Sequence, residues 1–177
     1  YAGELEDAKE EVRKNPDDAD AHYGLGLAYL TLGMYKEAIE SYKQAIRIGP
    51  DNAGAHSTLG AAYYGSGKYK EAIESYKQAV RIDPDYRDAH FNLGLAYGKL
   101  GMRKETTESF EQVIRIDPDD ASAHYNLGYA YISLSDRDSA IEQYKILKTL
   151  DTEMEVLHEP SVSTIHMANE LFNYINE

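Results

Sequence analysis

Residues 19–52 read ADAHYGLGLAYLTLGMYKEAIESYKQAIRIGPDN, and this stretch of 34 residues recurs along the chain. The next copy, AGAHSTLGAAYYGSGKYKEAIESYKQAVRIDPDY, follows directly, and two more diverged copies come after it. A fixed period of this length is typical of proteins built from stacked repeats, each a unit of supersecondary structure. The sequence therefore predicts four tandem repeats, at 19–52, 53–86, 87–120 and 121–154.

Each repeat contains two runs of apolar residues at helical spacing, which we name helix A and helix B. In the first repeat these residues are Leu25, Tyr29 and Leu32 in helix A and Ile39, Tyr42 and Ile46 in helix B. Gly33 lies between the runs, where a helix commonly ends in the left-handed conformation that glycine adopts at least cost. Pro50 prevents helix B from continuing. We therefore expect a helical hairpin that must pack on its neighbours to bury its apolar faces.

The repeat resembles the tetratricopeptide repeat (TPR) family at its most characteristic positions. The family's leucine, glycine and tyrosine of helix A are present in every copy, as Leu25, Gly26, Tyr29, then Leu59, Gly60, Tyr63, then Leu93, Gly94, Tyr97, then Leu127, Gly128, Tyr131. The small–aromatic–small pattern of helix B is Ala38, Tyr42, Ala45 and then Ala72, Tyr76, Ala79, and it is altered in the last two copies. The resemblance implies an all-α fold, a right-handed α-α superhelix of four full helix-turn-helix repeats.

Both ends of the chain depart from the repeat. Residues 1–18 resemble a lone helix B, so we interpret them as an N-terminal half-repeat or cap. After residue 154, Pro160 interrupts any further helix A. We therefore predict an irregular linker and a C-terminal capping helix over 155–177. The helix is expected from about Thr164 to Asn176, with an apolar stripe of Ile165, Ala168, Leu171, Phe172 and Ile175. Residues 155–167 are either a longer connection or an exposed arm.

Composition narrows the classes of function. The chain has 31 acidic and 18 basic residues, a formal charge of −13. This charge argues against a nucleic-acid partner, because such binding relies on basic patches, but it permits a basic protein partner. No run of apolar residues reaches the roughly 18 needed to insert in a membrane. The absence of cysteine fits a reducing compartment, and we expect a cytoplasmic protein. The chain begins with Tyr1, so this expectation does not cover an upstream segment.

The resemblance also implies a partner-binding groove, because the A helices of the family line a concave surface. The predicted partner-binding residues on these helices are Tyr23, Leu27, Ser57, Thr58, Tyr64, Phe91, Asn92, Leu95, Tyr125, Asn126 and Tyr129. Tyrosine offers a large contact area at low entropic cost. An asparagine amide can pair with both backbone groups of an extended peptide. Asn92 and Asn126 resemble two rungs of the asparagine ladder in the TPR arrays of O-linked glycosyltransferases.

Other kinds of site find less support in the sequence. The carboxylate clamp of chaperone-binding TPRs needs basic residues on helix A, and the corresponding positions here are not basic. Four histidines repeat with the same period and are too far apart to share one metal ion, so we interpret them as packing residues in the family's tryptophan position. They are His22, His56, His90 and His124. His166 and Glu170 are interpreted as a solvated helix face. No catalytic motif is present, and we expect no catalytic residue, metal or cofactor.

The sequence therefore predicts a non-catalytic scaffold that binds a peptide or helix of a partner protein in the groove. Two alternatives remain open. The first is self-assembly as a homo-oligomer, through the end faces of the array or the 155–167 arm. The second is a substrate-recruiting region of a larger enzyme, such as a glycosyltransferase.

Overall fold

The computed structural model describes residues 2–156 and 162–176, with side chains at 3–150 and 166–176. The regular structure of these residues is α-helical, which confirms the predicted all-α class. The helices are α1 (Ala2–Lys14), α2 (Ala19–Thr31), α3 (Tyr35–Ile48), α4 (Ala53–Gly65), α5 (Tyr69–Ile82), α6 (Arg87–Lys99), α7 (Arg103–Ile116), α8 (Ala121–Ser133), α9 (Arg137–Val156) and α10 (Val162–Asn176). Helices α2, α4, α6 and α8 are the A helices of the four predicted repeats, and α3, α5, α7 and α9 are the B helices.

Side chains at the ends of the A helices explain where these helices start and stop. Asn52 accepts a hydrogen bond from the backbone amide of Ala55 at 3.0 Å, and Asp120 does the same for Ala123 at 2.9 Å. Such caps satisfy amides that have no partner within the first helical turn. The first three A helices are followed by glycines with positive φ, as expected for Gly33 at +70°. The fourth repeat has Ser135 in the same conformation, at φ 60°.

The residues form two compact units, 1–96 and 97–177. In the N-terminal unit, helices α2 and α3 form one hairpin, α4 and α5 form the next, and α3 packs against α4. One buried cluster joins both hairpins and consists of Ala38, Ile39, Tyr42, Leu59 and Ala62. The interface between repeats is therefore part of the core, as expected for hairpins that cannot bury their apolar faces alone.

Glycines set the close approach of the paired helices in this unit. A Cβ atom at Gly26 would lie 2.6 Å from Cε1 of Tyr42, and one at Gly60 would lie 2.6 Å from Cε1 of Tyr76. Both glycines and both tyrosines are buried. Each tyrosine ring of helix B thus occupies the space that any larger residue on helix A would need.

The C-terminal unit closes its core with α10, which packs against both α8 and α9. Its buried cluster consists of Ala140, Leu147, Ala168, Leu171 and Ile175. A Cβ atom at Gly128 would lie 2.6 Å from Cδ2 of Leu171, so this helix-A glycine faces α10. The predicted apolar stripe of the last helix is thus present at three of its positions.

The same end of the chain differs from the prediction in three respects. Helix α9 continues to Val156, beyond the predicted boundary at 154, because no proline or glycine interrupts it earlier. Helix α10 begins at Val162, two residues before the predicted start. Residues 155–167, predicted to be either a longer connection or an exposed arm, are therefore helical at 155–156 and 162–167. Residues 157–161 and the side chain of Ile165 lie outside the described residues. Phe172 is exposed, contrary to its place in the predicted apolar stripe. Its ring contacts that of Tyr144, with the two ring centroids 5.4 Å apart.

Candidate partner-binding surface

The predicted partner-binding residues all lie on A helices, eight in the N-terminal unit and three in the C-terminal unit. Within the N-terminal unit, two of them take part in packing. The ring of Tyr23 contacts the ring of Tyr42, with centroids 5.6 Å apart, and Tyr23 packs against the buried cluster. Ser57 is only 6% exposed. Leu27 is 47% exposed and offers an apolar surface on α2.

The remaining positions of the N-terminal unit are half-buried and held by local contacts. The Thr58 hydroxyl donates to the carbonyl of Gly54 at 2.9 Å. The ring of Tyr64 packs edge-on against that of Tyr69 at 5.3 Å. These contacts orient the side chains on α4 and leave part of each one at the surface. Three half-buried residues follow on α6, namely Phe91, Asn92 and Leu95.

A guanidinium group covers the aromatic position of α6. The Cζ atom of Arg87 lies 5.2 Å from the centroid of the Phe91 ring. The same guanidinium donates to the carboxylate of Asp88 at 2.7 Å. The Arg87 guanidinium therefore contacts the Phe91 ring and the Asp88 carboxylate at the same time. Attraction between a cation and the face of an aromatic ring favours this position.

The C-terminal unit brings residues of α10 to the predicted residues of α8. The Tyr125 hydroxyl donates to Oε2 of Glu170 at 3.0 Å. The rings of Tyr129 and Tyr174 meet edge to face, with centroids 5.2 Å apart and planes at 88°. Asn126 donates its amide to the carbonyl of Ser122 at 2.7 Å, so part of its hydrogen-bonding capacity is used within its own helix. We name Tyr125, Tyr129, Glu170 and Tyr174 the α8–α10 surface.

The Tyr125 phenol on this surface is held in its neutral form. Burial, together with the hydrogen bond to Glu170, raises the pKa of Tyr125 to about 12. The phenol therefore remains a hydrogen-bond donor at neutral pH. Glu170 also lies 3.4 Å from Nε2 of His166, and both of these side chains are substantially exposed.

Sequence reasoning did not assign Glu170 and Tyr174 to a binding surface. They lie four residues apart on α10, so they share one side of that helix. Leu171 and Ile175, the next residue after each, are buried. The helical spacing of these polar and apolar residues can be read from the sequence. The helices against which α10 packs cannot.

Models of one repeat family match the chain over most of its length. A model described as "TPR repeat" matches residues 31–67, 62–101 and 107–135, and two described as "Tetratricopeptide repeat" match 88–120 and 8–40. This chain belongs to the tetratricopeptide repeat family. The resemblance found in the sequence is confirmed. No curated protein sequence matches this TPR chain.

Solved TPR structures share its fold. A crystal structure of MamA is 26% identical, covers 85% of this chain and 88% of its own, and superposes with a TM-score of 0.82. YrrB, described as a TPR protein with an unusual peptide-binding site, is 28% identical over 87% of this chain and 80% of its own, with a TM-score of 0.73. The first TPR of Spaghetti (RPAP3), bound to the HSP90 peptide SRMEEVD, is 24% identical over 67% of this chain and 94% of its own, with a TM-score of 0.65. The predicted TPR fold class is thereby confirmed.

The periodic histidines have one structural role in all four TPR repeats. The Nε2 atom of each lies 2.8 to 2.9 Å from the backbone carbonyl oxygen of the proline six residues earlier. Because a carbonyl only accepts hydrogen bonds, Nε2 carries the hydrogen and donates it. Each histidine therefore ties the first turn of a helix A to the preceding loop. The pairs are His22 with Pro16, His56 with Pro50, His90 with Pro84 and His124 with Pro118.

In the described part of the chain, no three histidine, cysteine, aspartate or glutamate residues are grouped so that they could hold a metal ion. None of the described helices combines the length and the apolar character that crossing a membrane requires.

Proposed function

We propose that this TPR chain is a non-catalytic interaction module that binds a segment of a partner protein against its A helices. Family membership supports a protein-interaction role. The description of YrrB, which carries a peptide-binding site on a similar fold, supports a peptide as the ligand. The observation that carries the proposal is the exposure of Tyr129, at 48%, at a helix-A position that the family resemblance assigns to the binding groove.

An exposed tyrosine of this kind suits peptide recognition for a physical reason. Its ring is already held by the edge-to-face contact with Tyr174, so little conformational freedom remains to be lost on binding. Covering the free part of the ring with a partner removes apolar surface from water. Leu27 on α2 has the same accessibility in the N-terminal unit, at 47%. Tyr23 and Ser57, by contrast, are proposed to act mainly through the packing of the repeats.

The test is selection of peptides from a random display library on the purified chain, followed by affinity measurement on variants. We expect Tyr129→Ala to weaken the selected peptide about tenfold or more, a typical effect of losing an aromatic anchor. Leu134→Ala is the matched control, because Leu134 is similarly exposed but follows the end of α8. Circular dichroism should show the same helix content in both variants. Equal affinities for the wild type and Tyr129→Ala would contradict the proposed surface.

A further inference from the structure

Helices α8 and α10 present two facing rows of side chains in the C-terminal unit. Tyr125 contacts Glu170, and one helical turn later Tyr129 contacts Tyr174. The sequence separation is 45 residues in the first pair and the same in the second, since 174 − 129 = 45. A constant separation means that the two helices run parallel here. The α8–α10 surface therefore presents the Glu170 carboxylate at one level and, one helical turn further along, the aromatic pair Tyr129 and Tyr174.

The carboxylate of this surface is oriented and still accessible. Oε2 of Glu170 accepts the hydrogen bond from the Tyr125 hydroxyl, and the long contact with His166 is made by Oε1. The Glu170 side chain remains 43% exposed. A carboxylate has about four acceptor positions, so at least two are free for donors from outside.

The aromatic pair next to it has the electrostatics of a cation site. Tyr129 and Tyr174 are 48% and 44% exposed, and their rings stand almost perpendicular. In this arrangement the edge of one ring meets the face of the other, which leaves further ring face open to solvent. The face of a tyrosine ring carries partial negative charge and attracts a cation within about 6 Å.

The N-terminal unit shows the same chemistry satisfied from within the chain. Phe91 occupies the position of Tyr125 one repeat earlier, because the two are 34 residues apart. There the guanidinium of Arg87 lies over the ring and donates to Asp88. An arginine is thus the side chain that this chain itself uses to bridge a carboxylate and an aromatic ring on helix A.

We propose that Tyr129, Glu170 and Tyr174 form a site for an arginine side chain of the partner peptide. The inference rests on the proposed function and names the chemistry of its ligand. A planar guanidinium can donate to the Glu170 carboxylate while it stacks on a tyrosine ring, whereas an ammonium group cannot do both with the same geometry. The charge of −13 on the chain adds a long-range field that attracts a basic peptide.

The experiment uses the full chain and a single-residue probe. N-acetyl-arginine amide is titrated into isotope-labelled protein, and backbone and aromatic chemical shifts are followed by NMR. N-acetyl-citrulline amide, which has nearly the same shape but no charge, is titrated in parallel. We expect saturable shifts centred on Tyr129, Glu170 and Tyr174 with the arginine probe, and at least about fivefold weaker binding of the citrulline probe.

Two charge-neutralising variants make the result specific. Glu170→Gln should weaken the arginine probe about fivefold or more, because it removes the charge but keeps the shape and an acceptor for Tyr125. Glu142→Gln removes the same charge from an exposed position on α9 that pairs with Lys145, and it should leave binding unchanged. The proposal is overturned if the two variants behave alike, if citrulline or N-acetyl-lysine amide binds as well as arginine, or if the shifts spread evenly over the acidic surface.

Failure of this inference can be told apart from failure of the proposed function. If the library peptides lose affinity in Tyr129→Ala but not in Glu170→Gln, the surface binds peptides without an arginine site. If neither variant affects those peptides, the proposed function fails at this surface as well.

Discussion

In the two units of the molecule, different kinds of side chain pack against the equivalent glycine of helix A. In the N-terminal unit, Gly26 receives the ring of Tyr42 from its own hairpin, and Gly60 receives Tyr76. In the C-terminal unit, Gly128 receives Leu171 from α10. Tyr144, which occupies the position of Tyr42 three repeats later, is only half-buried and contacts Phe172.

The difference shows how a break in the repeat creates a distinct surface. Where the pattern is kept, a tyrosine from helix B of the same hairpin packs against the helix-A glycine, and the neighbouring repeat completes the buried cluster. Where the pattern ends, a helix without the repeat signature supplies the buried residue. That helix also brings Glu170 and Tyr174 next to α8, so the end of the array gains chemistry that the repeat itself does not encode.

Truncating Leu171, the side chain that packs against Gly128, should have the largest effect on stability. Leu171 is fully buried, and Leu171→Ala leaves a cavity at the junction of α8, α9 and α10. We expect the free energy of unfolding of the C-terminal unit to fall by about 2–5 kcal/mol, measured by urea denaturation. Leu134→Ala, at an exposed leucine, should change it by less than about 0.5 kcal/mol. A loss below about 1 kcal/mol for Leu171→Ala would mean that α10 is not part of the core.

Adding a methyl group to the glycines should have a smaller effect that depends on what faces them. Gly60→Ala puts a Cβ atom against the buried ring of Tyr76 and should cost about 1–3 kcal/mol. Gly24→Ala is the matched control on α2, since nothing lies within 4 Å of its Cβ position. It should stabilise the helix by up to about 1 kcal/mol, because alanine has the higher helix propensity.

The same substitution at Gly128 tests the comparison directly. Most of the crowding there comes from Leu171, so Gly128→Ala should cost less in the Leu171→Ala background than in the wild type. Additive effects of the two substitutions would contradict the assignment of Leu171 to this space.

Alkaline pH should have no effect through these phenols near neutrality and should destabilise both units only above pH 10. Burial, and to a lesser extent the nearby Tyr23, raises the pKa of Tyr42 from 10.0 to about 12. A raised pKa means that the folded state holds the proton more tightly, so this contribution is complete below pH 10 and is lost between pH 10 and about 12. Tyr42→Phe should therefore reduce the loss of unfolding free energy in this range by up to about 1.4 kcal/mol per pH unit.

The measurement is urea denaturation at successive pH values up to 12, with the wild type and Tyr131→Phe in parallel. Burial and a hydrogen bond to Glu111 raise the pKa of Tyr131 in the C-terminal unit to about 12, so its removal should act in the same direction. Identical pH profiles for the wild type and both variants would show that these phenols do not control alkaline unfolding.

The regular part of the fold could be predicted because each local signal agrees with the period. The left-handed Gly33, the loop before each helix A and the small residues facing the tyrosines are all fixed by residues less than one repeat length apart. The end of the chain could not be predicted as well, because α10 lacks the repeat signature and no earlier copy of it shows how it packs. Nothing local to Thr152–Val156 stops α9, and the contact of Glu170 with Tyr125 links residues that are 45 positions apart.

The candidate surface also contains positions that the sequence could predict and positions that it could not. The exposure of Leu27 and Tyr129 fits the positions chosen from the family resemblance, although their role in binding remains a prediction. The packing of Tyr23 on Tyr42 and the burial of Ser57 depend on contacts that helical spacing does not specify. Self-assembly and recruitment to an enzyme also remain predictions.

The histidine ties between helix A and the preceding loop have a consequence for behaviour in acid. A histidine that accepts a hydrogen bond loses it on protonation, but Nε2 of these four rings donates to a carbonyl in the neutral and in the charged form alike. Acidification therefore does not remove the hydrogen bond that ties each of these four loops to the helix A that follows it. The connections into the four A helices thus rest on a donor that is present with and without the second ring proton.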